Sequence, residues 1–176
     1  MKILSKREVL RGDFTSYCET SFLNKLGKEE KWEYLKRNNG CKAVIINVVN
    51  RETIILVKQF RFPLCKFILE FPAGLIDEGE SIEDAAKREL LEETGYRGEV
   101  LSVSPPVSSS PGITNETIYF ANMEIFGNKG EQKLDDVEEI EVIEFNRANF
   151  KEEIREYLSK NSDTIVDSKV WSKYCL

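Results

Sequence analysis

The chain of 176 residues has a formal net charge of −6, with 41% hydrophobic and 32% charged residues. This length suits one domain with a buried core and leaves room for a small appendage. The acidic balance argues against nucleic acid as a partner, because binding to its backbone requires clustered Lys and Arg. No apolar run is long enough to span a bilayer, and residues 1–8 lack the apolar core of a signal peptide. We therefore expect a cytoplasmic protein without a membrane partner, with the nucleus as the alternative compartment.

The absence of histidine excludes several catalytic classes. It removes the Ser-His-Asp triad, the Cys-His pair and the His-ligated zinc site. The four cysteines show no C-x-x-C spacing, which favours reduced thiols over disulfides. Chemistry in this chain must therefore depend on carboxylates, cations and a metal.

The predicted elements begin with a polar stretch, residues 1–40, whose turn signals indicate a small β-rich appendage. Two β-branched strands, 41–49 and 53–61, follow and flank the tight turn Asn50-Arg51-Glu52. Residues 67–71 form a third, short strand. These patterns place a domain boundary between residues 40 and 41.

A helix is predicted over residues 81–94, where Ile82, Ala86 and Leu90 are spaced four apart. Ser81 is its expected N-cap and Gly95 lies just past its end. Further strands are expected at 99–103, 116–123 and 138–145, and a C-terminal helix at about 147–158. Strands on both sides of a central helix, closed by a second helix, predict an α/β sandwich with a mixed sheet.

Three carboxylates, Glu89, Glu92 and Glu93, project from one side of the predicted helix. They repel one another, and the last two lie at the negative end of the helix dipole. Arg88 can pair with Asp84 and Glu92, but one guanidinium cannot neutralise the cluster. Hard oxygen ligands suit Mg²⁺ or Mn²⁺. From the carboxylates alone, a solvated Glu-rich helix face is the better explanation.

The longer sequence pattern around this helix favours the metal site over a solvated helix face. From Gly74 the sequence reads Gly, five residues, Glu80, seven residues, then Arg88-Glu89-Leu90-Leu91-Glu92-Glu93-Thr94-Gly95-Tyr96. This resembles the Nudix box at every defining position, and a chance match of its fixed residues has a probability of about one in a hundred million per start position.

The resemblance implies the Nudix α/β/α fold and the hydrolysis of a nucleoside diphosphate linked to another group. It implies that Glu89, Glu92 and Glu93 bind divalent metal and that Glu92 also takes part in catalysis. Arg88 would act in catalysis by orienting these carboxylates, and Glu80 would support the loop.

Two flanking segments are similar to the ADP-sugar pyrophosphatase branch of the family. They are Val57-Lys58-Gln59-Phe60-Arg61 and Glu70-Phe71-Pro72-Ala73-Gly74-Leu75-Ile76-Asp77. The resemblance implies that Arg61 contacts the diphosphate, with Gln59 near the substrate. It also implies a metal ligand in the Ala73 carbonyl and a ribose contact at Leu75.

Two further loops resemble that branch. Pro111 lies sixteen residues after Gly95 in a Pro-Gly loop, which would place Ser110 at the terminal ribose; an ordinary turn is the alternative. The acidic run from Asp135 to Val142 resembles the loop whose Glu assists catalysis. Glu138 is the implied base or additional metal ligand, and Glu139 takes this place if the register shifts by one. Such a loop can also be merely solvated.

The segment from Lys31 to Arg37 resembles the strand that binds adenine in dimeric members of the branch. By this resemblance Trp32 stacks on the base, with Glu33 and Arg37 beside it, and Phe14 stands where a second aromatic clamp is expected. The alternative is that Trp32 packs between subunits or in the core. The resemblance implies a homodimer in which residues 1–40 form the dimerisation segment.

These observations predict a Mg²⁺- or Mn²⁺-dependent enzyme that hydrolyses ADP-ribose to AMP and ribose 5-phosphate. Phe14 keeps open a Nudix enzyme for another nucleoside diphosphate derivative, such as a GDP-sugar or an oxidised nucleotide. A domain that senses nucleotides without cleaving them is a third possibility, although every carboxylate of the box is present.

Overall fold

The computed structural model of the protein describes residues 1–38, 40, 42–134 and 138–176. Cys41, the first residue of a predicted strand, and residues 135–137 of the predicted acidic loop lie outside the described residues. The strands found in the described ranges are β1 Lys2–Arg11, β2 Thr15–Leu23, β3 Glu29–Arg37, β4 Lys42–Val48, β5 Thr53–Arg61, β6 Lys66–Glu70, β7 Ala73–Leu75, β8 Arg97–Val103, β9 Val107–Ser108, β10 Thr117–Phe126, β11 Ile140–Asn146 and β12 Thr164–Val166. The helices are α1 Ile82–Thr94, α2 Phe150–Lys160 and α3 Ser168–Tyr174. None of these helices has the length and apolarity needed to cross a lipid bilayer.

The N-terminal appendage is a three-stranded antiparallel sheet in the order β1-β2-β3, which confirms its predicted β-rich character. Strand β3 attaches this sheet to the rest of the chain. The backbone N–H of Leu35 donates to the Ile113 carbonyl at 2.8 Å, and Leu35 forms a parallel bridge with Thr114. The appendage therefore contacts the loop that contains Pro111.

The remaining strands form two mixed sheets, ordered β7-β4-β10-β8, with β9 beside β10, and β11-β5-β6-β12. Parallel pairs join β4 to β10 and β6 to β12, and the other pairs are antiparallel. The tight turn between β4 and β5 does not pair these two strands, which lie in different sheets. Both strands are buried on both faces over most of their length, so each is an inner strand with two other partners.

Two hydrophobic clusters hold the sheets between helices. One cluster packs α1, through Ala86 and Leu90, against Ile46 and Met123 of the first sheet and Ile55 of the second. The other packs α2 and α3 against both sheets; its central members are Ile45, Leu56, Leu69, Ile154 and Val170. The α/β/α arrangement is thus confirmed.

The shortest elements, β7, β9, β12 and α3, were not among the sequence predictions. Helix α3 begins where the Asp167 side chain accepts a hydrogen bond from the Lys169 N–H at 2.7 Å, and Val170 anchors it in the core. Asp167 is the residue between β12 and α3. Its backbone N–H donates to the Leu69 carbonyl of β6 at 2.9 Å. This segment therefore lies beside the end of β6, where Glu70 is located.

Candidate active site

Helix α1 begins and ends as its sequence predicts. The Ser81 hydroxyl accepts the Asp84 N–H at 3.0 Å, and the Gly95 N–H donates to the Leu91 carbonyl at 2.9 Å. Gly95 has a φ of 74°, a left-handed conformation that favours glycine. The Ser81 contact begins the helix and the Gly95 contact ends it, just after the turns in which Glu89, Glu92 and Glu93 are located.

Arg88 joins the loop before α1 to the carboxylates of the helix. Its Nε and Nη2 each donate to Glu80 at 2.9 Å, and Nη2 also donates to the Leu75 carbonyl at 3.0 Å. Its Nη1 donates to Glu89 at 2.7 Å and to Glu92 at 3.1 Å. The bonds to Glu80, followed by those to Glu89 and Glu92, raise the pKa of Arg88. The expected pair with Asp84 is wrong, because the Asp84 carboxylate instead accepts the Ser81 hydroxyl at 2.7 Å.

Glu93 is a carboxyl group buried at the centre of the site. The residue is 5% exposed, and its Oε2 accepts the Ala73 N–H at 2.9 Å. Burial raises the pKa of Glu93 to about 8, against the effect of this hydrogen bond, and the charges of Glu89 and Glu138 raise it further. A carboxyl group in such surroundings needs a cation to remain ionised at neutral pH.

Glu89 occupies space that only a glycine leaves free. A Cβ atom on Gly74 would lie 1.9 Å from the Glu89 carboxyl carbon. Burial raises the pKa of Glu89, while its ion pair with Arg88 lowers it. Gly74 therefore lets the Glu89 carboxylate lie against the backbone of β7, close to Ala73.

The donor set fits a divalent cation that prefers oxygen. Three carboxylates predicted to bind metal, Glu89, Glu93 and Glu138, lie along one cavity together with Ala73. Within the described ranges, no three acidic or thiol side chains are already gathered around one point as a metal cage. Because Arg88 holds both Glu89 and Glu92, metal binding requires these side chains to shift toward the ion. Oxygen donors without histidine suit Mg²⁺ or Mn²⁺.

The cavity has a volume of about 550 Å³ and lies where the N-terminal sheet, the two mixed sheets and α1 approach one another. It brings together most of the residues that the sequence singles out. Those that line it are Arg37, Gln59, Arg61, Ala73, Leu75, Arg88, Glu89, Glu93 and Glu138. Its size suits a nucleotide-sized ligand.

Two arginines of the cavity are each held by an acid. The Nε of Arg61 donates to Glu70 at 2.7 Å, and the Nε of Arg37 donates to Glu116. Burial raises the pKa of Glu70, and its bond to Arg61 acts in the opposite direction. The described contact uses Nε in each case, and the two terminal nitrogens of a guanidinium group form a fork that matches phosphate oxygens.

Five residues predicted to act at the site lie outside the cavity wall: Phe14, Trp32, Glu33, Glu92 and Ser110. Phe14 is 75% exposed and Trp32 54% exposed, with the indole N–H of Trp32 donating to the Gly112 carbonyl at 3.1 Å. Glu33 lies beside the hydroxyl of Tyr17, whose pKa it raises. Phe14 precedes Thr15, which pairs with Arg37, whereas Trp32 pairs with Thr20 five residues further along β2, so the two rings lie apart within one chain.

Sequence reasoning missed several residues of the cavity wall, above all Glu70, Glu116 and Lys169. Glu70 and Glu116 lie in segments that the sequence analysis singled out, but nothing local shows that they pair with arginines. Lys169 follows β12 in a C-terminal segment that also resembles the family, but its local sequence does not indicate a place in the cavity.

The arrangement of a loop, a helix with three carboxylates and a cavity between two mixed sheets agrees with comparisons with known proteins. A family model described as the NUDIX domain matches residues 41–161, which is more than half of the chain. The chain belongs to the Nudix family.

The resemblance to the ADP-sugar pyrophosphatase branch is also confirmed. The chain is 35% identical to the ADP-sugar pyrophosphatase of Mus musculus over 97% of this chain and 84% of that protein. It is 35% identical to the ADP-ribose pyrophosphatase of Saccharomyces cerevisiae over 87% of this chain and 74% of that protein. The corresponding values for the ADP-ribose pyrophosphatase of Bacillus subtilis are 37%, 81% and 77%.

A solved structure supports the fold. The crystal structure of an ADP compounds hydrolase is similar with a TM-score of 0.68 and 21% identity, covering 91% of this chain and 96% of that one. The predicted α/β fold of the Nudix type is therefore confirmed.

Proposed function

We propose that the protein is an ADP-sugar diphosphatase that hydrolyses ADP-ribose to AMP and ribose 5-phosphate. One observation supports the proposal most directly: a single cavity combines Glu89 and Glu93 of the Nudix helix with Arg61 and Arg37. The relatives named ADP-sugar pyrophosphatase and ADP-ribose pyrophosphatase support the choice of substrate.

Glu89, Glu92, Glu93 and the Ala73 carbonyl are the proposed ligands of Mg²⁺ or Mn²⁺, and Glu138 is an additional ligand if it does not serve as the base. When bound, such an ion neutralises the diphosphate and lowers the pKa of a water ligand. Arg88 keeps Glu89 and Glu92 in place until the ion binds, because its Nη1 contacts both carboxylates. Glu93 must lose its proton before it can bind the ion, and its raised pKa opposes this step.

The reaction needs a base that removes a proton from the attacking water. Glu138 is our choice because it lines the cavity and its charge acts on both Glu89 and Glu93. The water oxygen forms a bond to phosphorus while the bond from that phosphorus to the bridging oxygen breaks. Arg61 would donate from its terminal nitrogens to the diphosphate, where negative charge increases on the leaving phosphate.

The nucleoside would lie at the Arg37 end of the cavity, with Gln59 and Leu75 along the wall. Trp32 and Glu33 lie on the same strand as Arg37. We propose a homodimer in which Phe14, Trp32 and Glu33 complete the base site between subunits and Ser110 borders the terminal ribose. Residues 1–40 would then be the dimerisation segment and 41–176 the Nudix domain.

We place the enzyme in the cytoplasm, with the nucleus as the alternative. The free thiols of Cys18, Cys65 and Cys175 agree with a reducing compartment. A small nucleotide-sugar is the proposed partner, and the acidic chain argues against nucleic acid.

The test is to incubate purified protein with ADP-ribose and Mg²⁺ and to identify the products by chromatography and mass spectrometry. AMP and ribose 5-phosphate in equal amounts are expected, and EDTA should stop their formation. The Glu89→Gln variant serves as the control for a contaminating enzyme and should form neither product. Release of adenosine or ADP, or intact ADP-ribose after prolonged incubation, would contradict the proposal.

A further inference from the structure

Lys169 is a cation of the cavity wall that comes from outside the segment matched by the NUDIX family model. It lies in the first turn of α3, and its ammonium group donates to the Asp167 carboxylate at 2.7 Å. The Asp167 carboxylate also accepts the backbone N–H of Lys169, so both the backbone and the side chain of Lys169 are bound to Asp167. The lysine is therefore held at the cavity instead of extending freely into solvent.

Lys169 and Arg61 are anchored to the same short strand. The Asp167 N–H donates to the Leu69 carbonyl of β6, and the next residue of that strand, Glu70, accepts the hydrogen bond from Arg61. The charges of Arg61 and Lys169 favour the ionised form of Glu70, and the charge of Asp167, the partner of Lys169, acts in the opposite direction. The two cations are thus neighbours, with Glu70 close to both.

The charges of the cavity indicate what these cations can bind. Arg88 donates to three carboxylates and a carbonyl in the Nudix loop and helix, so its donors are taken up within the protein. Lys169 uses one ammonium N–H for Asp167 in the described contacts, and two N–H groups remain for an acceptor. An ammonium group held next to an arginine fork suits an anion with several oxygens.

We infer that Lys169 is a substrate-binding residue that, together with Arg61, contacts the diphosphate of the ADP-sugar. This inference rests on the proposed function and adds a diphosphate ligand from the C-terminal segment. Asp167 is then a positioning residue, because it acts on substrate through Lys169. The two phosphates of the substrate each carry one negative charge at neutral pH, so Arg61 and Lys169 both have an anionic partner in addition to the proposed metal ion.

The test compares kcat and KM for ADP-ribose in wild type, Lys169→Gln, Lys169→Arg and Lys173→Gln. Gln keeps most of the length and a donor toward Asp167 but removes the charge. Lys173 is the matched control, because it lies one turn further along α3 and lines the neighbouring cavity of about 400 Å³ but not the active-site cavity, whereas Lys169 lines both. We expect Lys169→Gln to lower kcat/KM by about 10- to 100-fold, the value of one charged hydrogen bond.

Lys169→Arg should restore kcat/KM to within about fivefold of wild type, and Lys173→Gln should stay within about twofold. Melting temperatures of all variants should match that of wild type, since the fold does not depend on the charge. A Lys169→Gln enzyme within twofold of an active wild type would overturn the assignment. So would a loss that Arg does not restore and that a lower melting temperature accompanies, because it would show a structural role. A wild type without activity on ADP-ribose would overturn the proposed function and this inference together.

Discussion

The buried carboxyl group of Glu93 links the chemistry of the site to the stability of the fold. In the protein without metal, its pKa is about 8, compared with 4.5 for an ordinary glutamate. Between these pH values the folded protein holds a proton that the unfolded chain has released. The stabilising contribution of this proton is fully present below pH 4.5 and is lost as the pH rises through 8.

The Glu93→Gln variant tests this link. Because Gln does not titrate, we expect its melting temperature in EDTA to exceed that of wild type by roughly 2–8 °C at pH 8, with little difference at pH 4.5. Turnover of ADP-ribose in Mg²⁺ should fall by at least on the order of 100-fold. Calorimetry at both pH values provides the comparison, and a difference that does not change with pH would refute the assigned electrostatics.

Gly74 offers a purely steric test of Glu89. Its Cβ in Gly74→Ala would overlap the Glu89 carboxyl group, and this side chain must then move away from β7. We expect a loss of kcat on the order of 10- to 100-fold with a Tm change of only a few degrees. Steady-state kinetics with a parallel melting curve separates the two effects. An alanine variant with at least half the wild-type activity would show that Glu89 does not need this position.

The segment after β10 is attached to the end of α1. Gly130 and Lys133 donate backbone N–H groups to the carbonyls of Gly95 and Glu92, each at 2.9 Å. The Gln132 side chain donates to the Glu93 carbonyl at 2.5 Å and to the Ile140 carbonyl of β11 at 3.1 Å. These carbonyls lie at the helix end, where intrahelical partners are missing. Gln132 thereby fixes the start of β11, just after Glu138, relative to the helix that carries the other carboxylates.

Replacing Gln132 should disturb catalysis more than binding. Gln132→Leu keeps the volume but removes the donor, so we expect kcat to fall by about tenfold, KM to stay nearly constant and Tm to drop by a few degrees. Glu131→Gln, in the same segment and exposed, is the control and should leave all three quantities unchanged. Equal kcat values for Gln132→Leu and wild type would rule out this positioning role.

Local signals explain which elements the sequence predicts correctly. Helix α1 follows from its spacing, its Ser81 cap and its Gly95 stop, all within fifteen residues. The partner strands of β4 and β5 cannot be predicted in this way. Strand β4 pairs with β10 and β7, and β5 pairs with β6 and β11. Packing between segments that are distant in sequence determines these partners. Helix α3 is too short to show a periodic pattern, and Lys169 was missed for that reason.

The same limit applies to the site. The Nudix pattern leads to Glu89, Glu93 and Arg88 because loop and helix are contiguous in sequence. The pairs Arg61–Glu70 and Arg37–Glu116 cannot be predicted from local sequence. Glu70 in β6 binds an arginine of β5, and Glu116, just before β10, binds an arginine of β3, so each pair forms only when the strands are assembled.

The exposed apolar side chains of the N-terminal sheet bear on the oligomeric state of the protein. The sheet exposes several large apolar residues to solvent: Ile3, Leu4, Val9, Leu10, Phe14, Trp32 and Leu35. Exposed large apolar side chains grouped on one small sheet are typical of an interaction surface. It supports the proposed homodimer, in which this sheet would be covered.

Sedimentation velocity tests the dimer. We expect a species of about twice the chain mass of 20.3 kDa at micromolar concentration. Leu10→Lys should shift the protein toward monomer and lower activity on ADP-ribose, because the base site would lose residues of the second subunit. Leu101→Lys, which changes an exposed apolar residue on β8, is the control and should remain dimeric. A fully active monomeric wild type would contradict a base site shared between subunits.

The central claim, an ADP-sugar diphosphatase, is tested most directly by competition among substrates. The protein would be incubated in Mg²⁺ with an equimolar mixture of ADP-ribose, ADP-glucose, GDP-mannose and an oxidised guanine nucleoside diphosphate. The consumption of each is followed by mass spectrometry. We expect ADP-ribose to disappear first, with AMP and ribose 5-phosphate as products. Preferred consumption of a guanine nucleotide, or binding of ADP-ribose without cleavage, would contradict it.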